Sequence, residues 1–278
     1  MNDFVIVTDS SCDLPDELVR KLELHVAPLA FIMGDETYHN YPDNREMSPE
    51  EFYSRQKQGQ MATTNAVNVG QAAEVLEPIL QEGRDVLVLA FSSGLSTTYN
   101  SFKIAGDELA AQFPDRKVFV LDTLSASLGQ GMLVAQAAQL RLDGKTIEEV
   151  RDWTEQNKLR QCHWFTVNDL FFLKKGGRVS AATALVGSML QIKPVMHMDD
   201  EGHLINVSKA RGRKASLLAL ADKVGELAED PASQTMYISN SACPEDAQFV
   251  ADEVKRRYGV KEIIINSIGP VIGAHTGP

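Results

Sequence analysis

Three short runs of consecutive apolar residues, Val5–Thr8, Val86–Phe91 and Val118–Leu121, each lead towards a segment whose apolar positions recur at helical spacing. Unbroken apolar runs of this length suit parallel strands covered on both faces. The pattern therefore predicts a parallel α/β sheet flanked by helices over Asp16–Lys21, Pro49–Lys57, Val69–Gln81, Ser96–Gln112, Ser127–Leu142 and Ile147–Leu159. Helix starts are marked by Asp13 with Pro15, by Ser48 followed by Pro49 and Glu51, and by Thr146 with Glu149 as a capping box. Between the first two helices, Leu24–Asn40 reads as extended chain with a turn at Gly34 and Asp35, hence a small hairpin excursion over residues 24–40.

Past about residue 162 the order becomes strand, loop, hairpin, helix, strand, helix, strand. The hairpin is expected from Pro194–Met198 and Leu204–Ala210, turning through Asp199, Asp200, Glu201 and Gly202. Helix Lys214–Leu227, strand Thr235–Asn240, helix Pro244–Tyr258 and strand Glu262–Ser267 follow. A chain of 278 residues suits two α/β domains. Residues 1–162 would carry an N-terminal parallel, Rossmann-like sheet, and residues 163–278 a smaller mixed-sheet domain, with a ligand between them.

The chemistry concentrates at strand ends. In Asp85–Asn100 an apolar run discharges into Ser92, Ser93, Gly94, Ser96, Thr97 and Thr98, at the start of a helix. Unpaired N–H groups and the helix dipole favour an anion there. The stretch holds no Lys or Arg, which suits a singly charged carboxylate better than a polyphosphate. Gly94 would let backbone approach such a ligand. The same grammar recurs in residues 4–15 and 117–131, so three junctions share the carboxyl end of one sheet, where parallel α/β proteins bind ligands. Asp9 and Asp122, at two of these junctions, read as caps rather than metal ligands.

Composition is that of a globular protein, with 44% hydrophobic and 23% charged residues. No run approaches the ~20 apolar residues of a membrane span and no basic-apolar leader opens the chain, so a cytoplasmic location is expected. Cys12, Cys162 and Cys243 are far apart and lack a CxxC pair, which suggests free thiols. Cys12, in the first Ser-rich turn, reads as small-residue filler or as a thiol activated by a helix start. A net charge of −11 argues against general nucleic-acid binding. Lys209, Arg211, Arg213 and Lys214, with Lys174, Lys175 and Arg178 around Gly176 and Gly177, form either a solvated face or a positive patch for an acidic partner or phosphate donor. His197, Asp199, Asp200 and His203 could be imagined as metal ligands, but turn chemistry explains them better. His275 follows the last strand among glycines and reads as a loop histidine, a functional candidate.

Together these motifs resemble the DegV family of bacterial fatty-acid-binding proteins. They are VTDSSCDLP near the start, ATTNA at Ala62–Ala66, SSGLSTTYNS at Ser92–Ser101, DT with GQG at Asp122–Gly131, LKKGGRVS at Leu173–Ser180, IKPV at Ile192–Val195, KARGRK at Lys209–Lys214 and GPVIGAHTGP at the end. The resemblance implies a two-domain α/β carrier, not catalytic alone, that buries a long-chain fatty acid such as palmitate between its domains and needs no cofactor or metal. It places Thr63, Ser96 and His275 at the carboxylate, with Ser93 and Thr64 beside them, and assigns Arg178 and Arg211 to docking a partner. That partner is a separate ATP-binding fatty acid kinase subunit making acyl phosphate for phospholipid synthesis; transient membrane contact fits the same role. The family's TSQP is matched to Thr63, Thr64, Asn65 and Ala66, and the glycine that usually follows GLS is Thr97. Phe91, Phe165, Phe171, Met189, Leu190 and Met196 are candidates to line the tail tunnel. The rival reading is a serine hydrolase using Ser93 or Ser96 with His275, although no G-x-S-x-G elbow is present.

Overall fold

The computed structural model describes residues 4–168, 170–180 and 191–278. Its strands are β1 (Phe4–Asp9), β2 (His25–Ala27), β3 (Ala30–Met33), β4 (Glu36–His39), β5 (Ala62–Asn65), β6 (Asp85–Ala90), β7 (Val118–Asp122), β8 (Trp164–Thr166), β9 (Ile192–Met198), β10 (Leu204–Arg211), β11 (Thr235–Asn240) and β12 (Glu262–Ser267). Its helices are α1 (Asp16–Lys21), α2 (Pro49–Lys57), α3 (Val69–Gln81), α4 (Thr98–Gln112), α5 (Ser127–Leu142), α6 (Ile147–Asn157), α7 (Phe171–Lys175), α8 (Arg213–Leu227), α9 (Pro244–Tyr258) and α10 (Pro270–Thr276).

The central sheet is all parallel, in the order β2-β1-β6-β7. Its strand residues alternate between two cores, as the two-residue period of a strand requires. Phe4, Ile6, Leu87 and Leu89 pack with α1, α5 and α6, whereas Val5, Val7, Val86 and Val88 pack with α3 and α4. Both faces are covered, which is why these strands read as unbroken apolar runs.

Residues 24–40 only partly form the expected excursion. His25–Ala27 is instead the fourth parallel strand, paired with β1, and only β3 and β4 make the hairpin. On the other edge of β3 lies β5, drawn from the ATTN segment. In the second half, β10-β9-β8 is an antiparallel sheet and β11-β12 a parallel pair. The hairpin forms where expected, with a register shift between Asn206 and Ser208.

The chain's end departs from the sequence reading, because His275 lies on α10 and not on a loop. This short helix packs on the N-terminal half: Val271 joins the α3–α4 core, and Ala274 joins Phe31, Phe52 and Tyr53. Tyr53 Oη donates to Ile268 O (2.9 Å), and Gln56 Nε2 donates to Gly273 O (3.1 Å). A Cβ on Gly273 would stand 2.6 Å from that tyrosine oxygen, so the close packing of α10 needs glycine there.

Asp13 ties this helix to the sheet. Its Oδ1 accepts from Gly269 N–H (2.9 Å), at the N-cap of α10, and its Oδ2 accepts from Ser127 Oγ (2.6 Å). Burial pushes its carboxyl up to about 7. The native state thus keeps a proton that the unfolded chain releases near pH ~4. Stability contributed by that proton is full at low pH and is lost as pH rises from about 4 to about 7. Asp13→Asn should flatten this slope in urea unfolding followed across pH; an unchanged slope would show that Asp13 does not carry it.

Candidate functional site

The central sheet reverses its winding between β1 and β6, the crevice where an open α/β sheet usually takes a ligand. Here the protein fills that crevice with its own carboxylate. Fully buried Asp9 accepts from Phe91 N–H (2.8 Å) and Ser11 N–H (3.1 Å), with Gln130 Nε2 at 3.4 Å and the Ser11 hydroxyl close by. Asp9 also caps the short 3-10 turn after β1, whereas Asp122 holds a loop by accepting from Ser93 N–H (3.2 Å) and Leu124 N–H (3.0 Å). Burial raises the Asp9 carboxyl above its ordinary range.

The expected role of Gly94 is also corrected. A Cβ there would stand 2.6 Å from Gly202 O, so the missing side chain admits the tip of the β9–β10 hairpin and not a ligand. Ser92 Oγ donates to the same Gly202 carbonyl at 2.8 Å. The Ser-rich turn is thereby pinned against the second half of the chain.

Beside this contact lies a cavity of about 370 Å³, a volume within the range of small-molecule sites. Much of its wall is apolar, with Phe91, Ala126, Phe165, Met198, Val271 and Ile272 contributing from both halves. Of the proposed tail-lining residues, Phe91 and Phe165 are in the wall. Phe171 is instead 58% exposed, and Met196 is buried in a separate core with Leu170 and Leu173. Met189 and Leu190 lie outside the described residues.

Thr64, Ser93, Ser96 and His275 all line this cavity. Thr63 does not: it is exposed, on the opposite face of β5 from Thr64. One residue along a strand reverses the direction of the side chain, so the threonine beside the histidine is Thr64. Its Oγ1 lies 2.8 Å from His275 Nε2. The other ring nitrogen, Nδ1, is buried without a partner and packs against Gly176, where a Cβ would come within 2.2 Å. Burial, and secondarily the Arg178 charge, lowers His275 to about 4, so the ring is neutral at pH 7. A buried N–H without an acceptor is costly, which favours the tautomer with the proton on Nε2. That proton is donated to Thr64, leaving the Thr64 hydroxyl hydrogen for another acceptor.

Ser96 belongs to the turn before α4, which begins at Thr98, two residues later than expected. Its Oγ accepts from Thr98 N–H (3.2 Å) and lies 3.0 Å from Thr98 Oγ1. Ser93 is exposed, near the mouth. Arg178 is drawn into the cavity wall and half-buried. Its Nε donates to Leu95 O (3.2 Å) and its Nη1 to Gly176 O; no carboxylate pairs with it among the described residues. Arg211 is exposed at the end of β10 and is not in the wall, and Arg213 is paired with Asp246 (2.6 Å).

The hydrolase reading fails on geometry. His275 is paired with Thr64 and Ser96 with Thr98; among the described residues no carboxylate bonds the His275 ring. Asp199, Glu201 and His203 have ligand atoms within 4.8 Å of one another. Asp199 Oδ1, however, accepts the N–H groups of Glu201 (3.0 Å) and His203 (2.8 Å), which is turn chemistry. His197 instead stacks on Trp164, its ring 4.6 Å away. Cys12 is 1% exposed and burial pushes its thiol upward, the behaviour of a packed filler.

Other cavity residues are not singled out by the sequence. His163 and Ser239 line the wall but belong to no motif, and Ser127 lies within the 117–131 junction without being marked there as a polar contact. Among the described residues no helix is long and apolar enough to cross a membrane.

The chain is 43% identical over 277 residues to a DegV domain-containing protein of Clostridium perfringens, covering 100% of this chain and 95% of that one. It is similar in structure to a fatty-acid-binding DegV family protein of Thermus thermophilus, with 31% identity, a TM-score of 0.87 and 99% and 96% of the two chains covered. It is also similar to DegV of Bacillus subtilis, described as a fatty acid binding protein, with 27% identity, a TM-score of 0.85 and 100% and 96% coverage. A family model described as an uncharacterised protein of the DegV family matches residues 3–278, and the chain belongs to that family.

Proposed function

We propose that this chain binds a long-chain fatty acid in the cavity and presents its carboxylate to a separate ATP-dependent fatty acid kinase subunit. The product would be acyl phosphate for phospholipid synthesis, formed in the cytoplasm with transient membrane contact. One observation carries the binding step. The largely apolar cavity contains a cluster of hydroxyls, a neutral histidine and a half-buried arginine that pairs with no carboxylate among the described residues. Relatives in Thermus thermophilus and Bacillus subtilis are described as binding fatty acids, which supports the same ligand here.

The energetics divide between tail and head. Burying about 14 methylenes at ~0.8 kcal/mol each gives on the order of 11 kcal/mol gross, before the costs of association. Hydrogen bonds to a charged carboxylate contribute ~1.5–3 kcal/mol each. The tail thus supplies most of the affinity, and Thr64, Ser96 and Ser93 orient the head. Ser96→Ala should narrow the preference for a fatty acid over the alcohol of equal length by roughly tenfold. Parallel titrations with palmitic acid and hexadecanol measure this, and equal losses for both ligands would contradict the assignment.

For the kinase step, exposed Arg211 is the better docking residue, because Arg178 is committed to the cavity wall. Palmitate-loaded protein should form no acyl phosphate with ATP alone. It should do so once a kinase subunit from the same organism is added, and Arg211→Glu should slow that reaction without releasing palmitate. Acyl phosphate made by this chain alone would overturn the carrier role.

A further inference from the structure

Resting on the reading that the cavity holds an acyl chain, we propose a second recognition point on its wall: Ser127, Ser239 and His163 bind a hydroxyl group carried partway along that chain. All three residues line the cavity. Ser127 bonds Asp13 and Ser239, His163 bonds Ser125, and neither set shares a bond with Thr64, Ser96, Arg178 or His275 among the described residues.

Their free hydrogen-bonding capacity follows from proton counting. Ser127 Oγ lies 2.6 Å from Asp13 Oδ2 and 3.1 Å from Ser239 Oγ. Ser127 donates its single proton to Asp13 Oδ2, so Ser239 supplies the hydrogen between the two serines and keeps lone pairs for an incoming donor. His163 rests on the first turn of α5, where a Cβ on Gly129 would come within 2.4 Å of its Nδ1. That Nδ1 lies 3.1 Å from Ser125 Oγ, and Nε2 has no protein partner among the described residues. Ser127 is held in the left-handed backbone region at φ 50°, uncommon for a residue other than glycine.

The position and the chemical class can both be read from the fold. Asp13, behind Ser127, bonds the N-cap of α10 at Gly269, whereas the Thr64 contact is made six residues later by His275. At ~1.5 Å per residue these anchors stand about 9 Å apart along the helix. The apolar cluster of Phe91, Ala126 and Ile272 lines the same cavity. A group bound at the second point is therefore several methylenes from the carboxylate. His163 is lowered to about 4 by burial and the neighbouring His197, so it is neutral, and no cation belongs to the group. The class favoured is a neutral oxygenated acyl chain and not a dicarboxylic acid.

The test is a binding series with stearic acid and hydroxystearic acids that differ only in hydroxyl position. Isomers with the hydroxyl at one region of the chain should bind roughly three- to tenfold more tightly than the other isomers. Ser239→Ala should remove that difference while the variant still takes up stearic acid. Isomers of equal affinity, or a preference that survives both Ser239→Ala and Ser127→Ala, would overturn the second point and leave fatty-acid binding standing. Failure of the wild-type protein to bind stearic acid itself would overturn the parent reading and this one with it.

Discussion

Ala126→Phe is expected to lower the affinity for palmitate by about a hundredfold while the chain remains folded. Ala126 stands at the N-cap of α5, is 7% exposed and packs with Phe91 and Ile272 in the cavity wall. Its backbone is extended, at φ −147° and ψ 162°, a conformation that phenylalanine adopts freely. The added ring would enter empty volume and displace ligand. Excluding about four methylenes costs ~3 kcal/mol of tail burial, which corresponds to roughly a hundredfold in affinity. Titration calorimetry and thermal unfolding on the same preparation separate the two effects. Unchanged palmitate affinity in a folded variant would mean that the tail does not run past Ala126.

His275→Ala is expected to reduce fatty-acid affinity by roughly ten- to a hundredfold and to leave the corresponding alcohol little affected, because what is lost is a charge-assisted hydrogen bond of ~1.5–3 kcal/mol. The histidine would act through Thr64: Nε2–H occupies the Thr64 oxygen, so the threonine proton is directed to the ligand. Gly176→Ala should produce the same selectivity change from a distance, since its Cβ would push on the His275 ring. Because its value lies at about 4, the His275 ring is neutral near neutral pH and adds no pH dependence of its own above about pH 5. Equal losses for acid and alcohol in both variants would show that His275 supports the wall and not the head group.

Much of the architecture is written in local chemistry. Helices α1, α2, α3, α5 and α9 and strands β11 and β12 keep the bounds that the sequence predicts. Their ends are set by short-range signals: Ser48 accepts from Glu51 N–H, Asn68 forms a capping box with Gln71, and Gly259 closes α9 in the left-handed region. Where long-range contacts decide, the sequence is silent. Helix α10 has seven residues and a glycine, too short for stability of its own, and is held by Tyr53, Gln56 and Asp13 from the other end of the chain. Strand β5 exists because β3 offers it an edge.

The site shows the same division. The hydroxyl-rich turn and the terminal histidine are visible in the sequence, yet the motif match selects Thr63, and only the pleat of β5 brings Thr64 to His275. Gly94 looks like a residue that clears space for a ligand, whereas it clears space for Gly202. Arg178 looks like a surface cation, but the fold turns it into the cavity beside Leu95.

The most direct test of the carrier role is native mass spectrometry of the purified protein, followed by organic extraction and identification of the released molecule. A stoichiometric fatty acid, lost from Ala126→Phe, is the predicted result. Protein that emerges empty and takes up neither added palmitate nor oleate would contradict it.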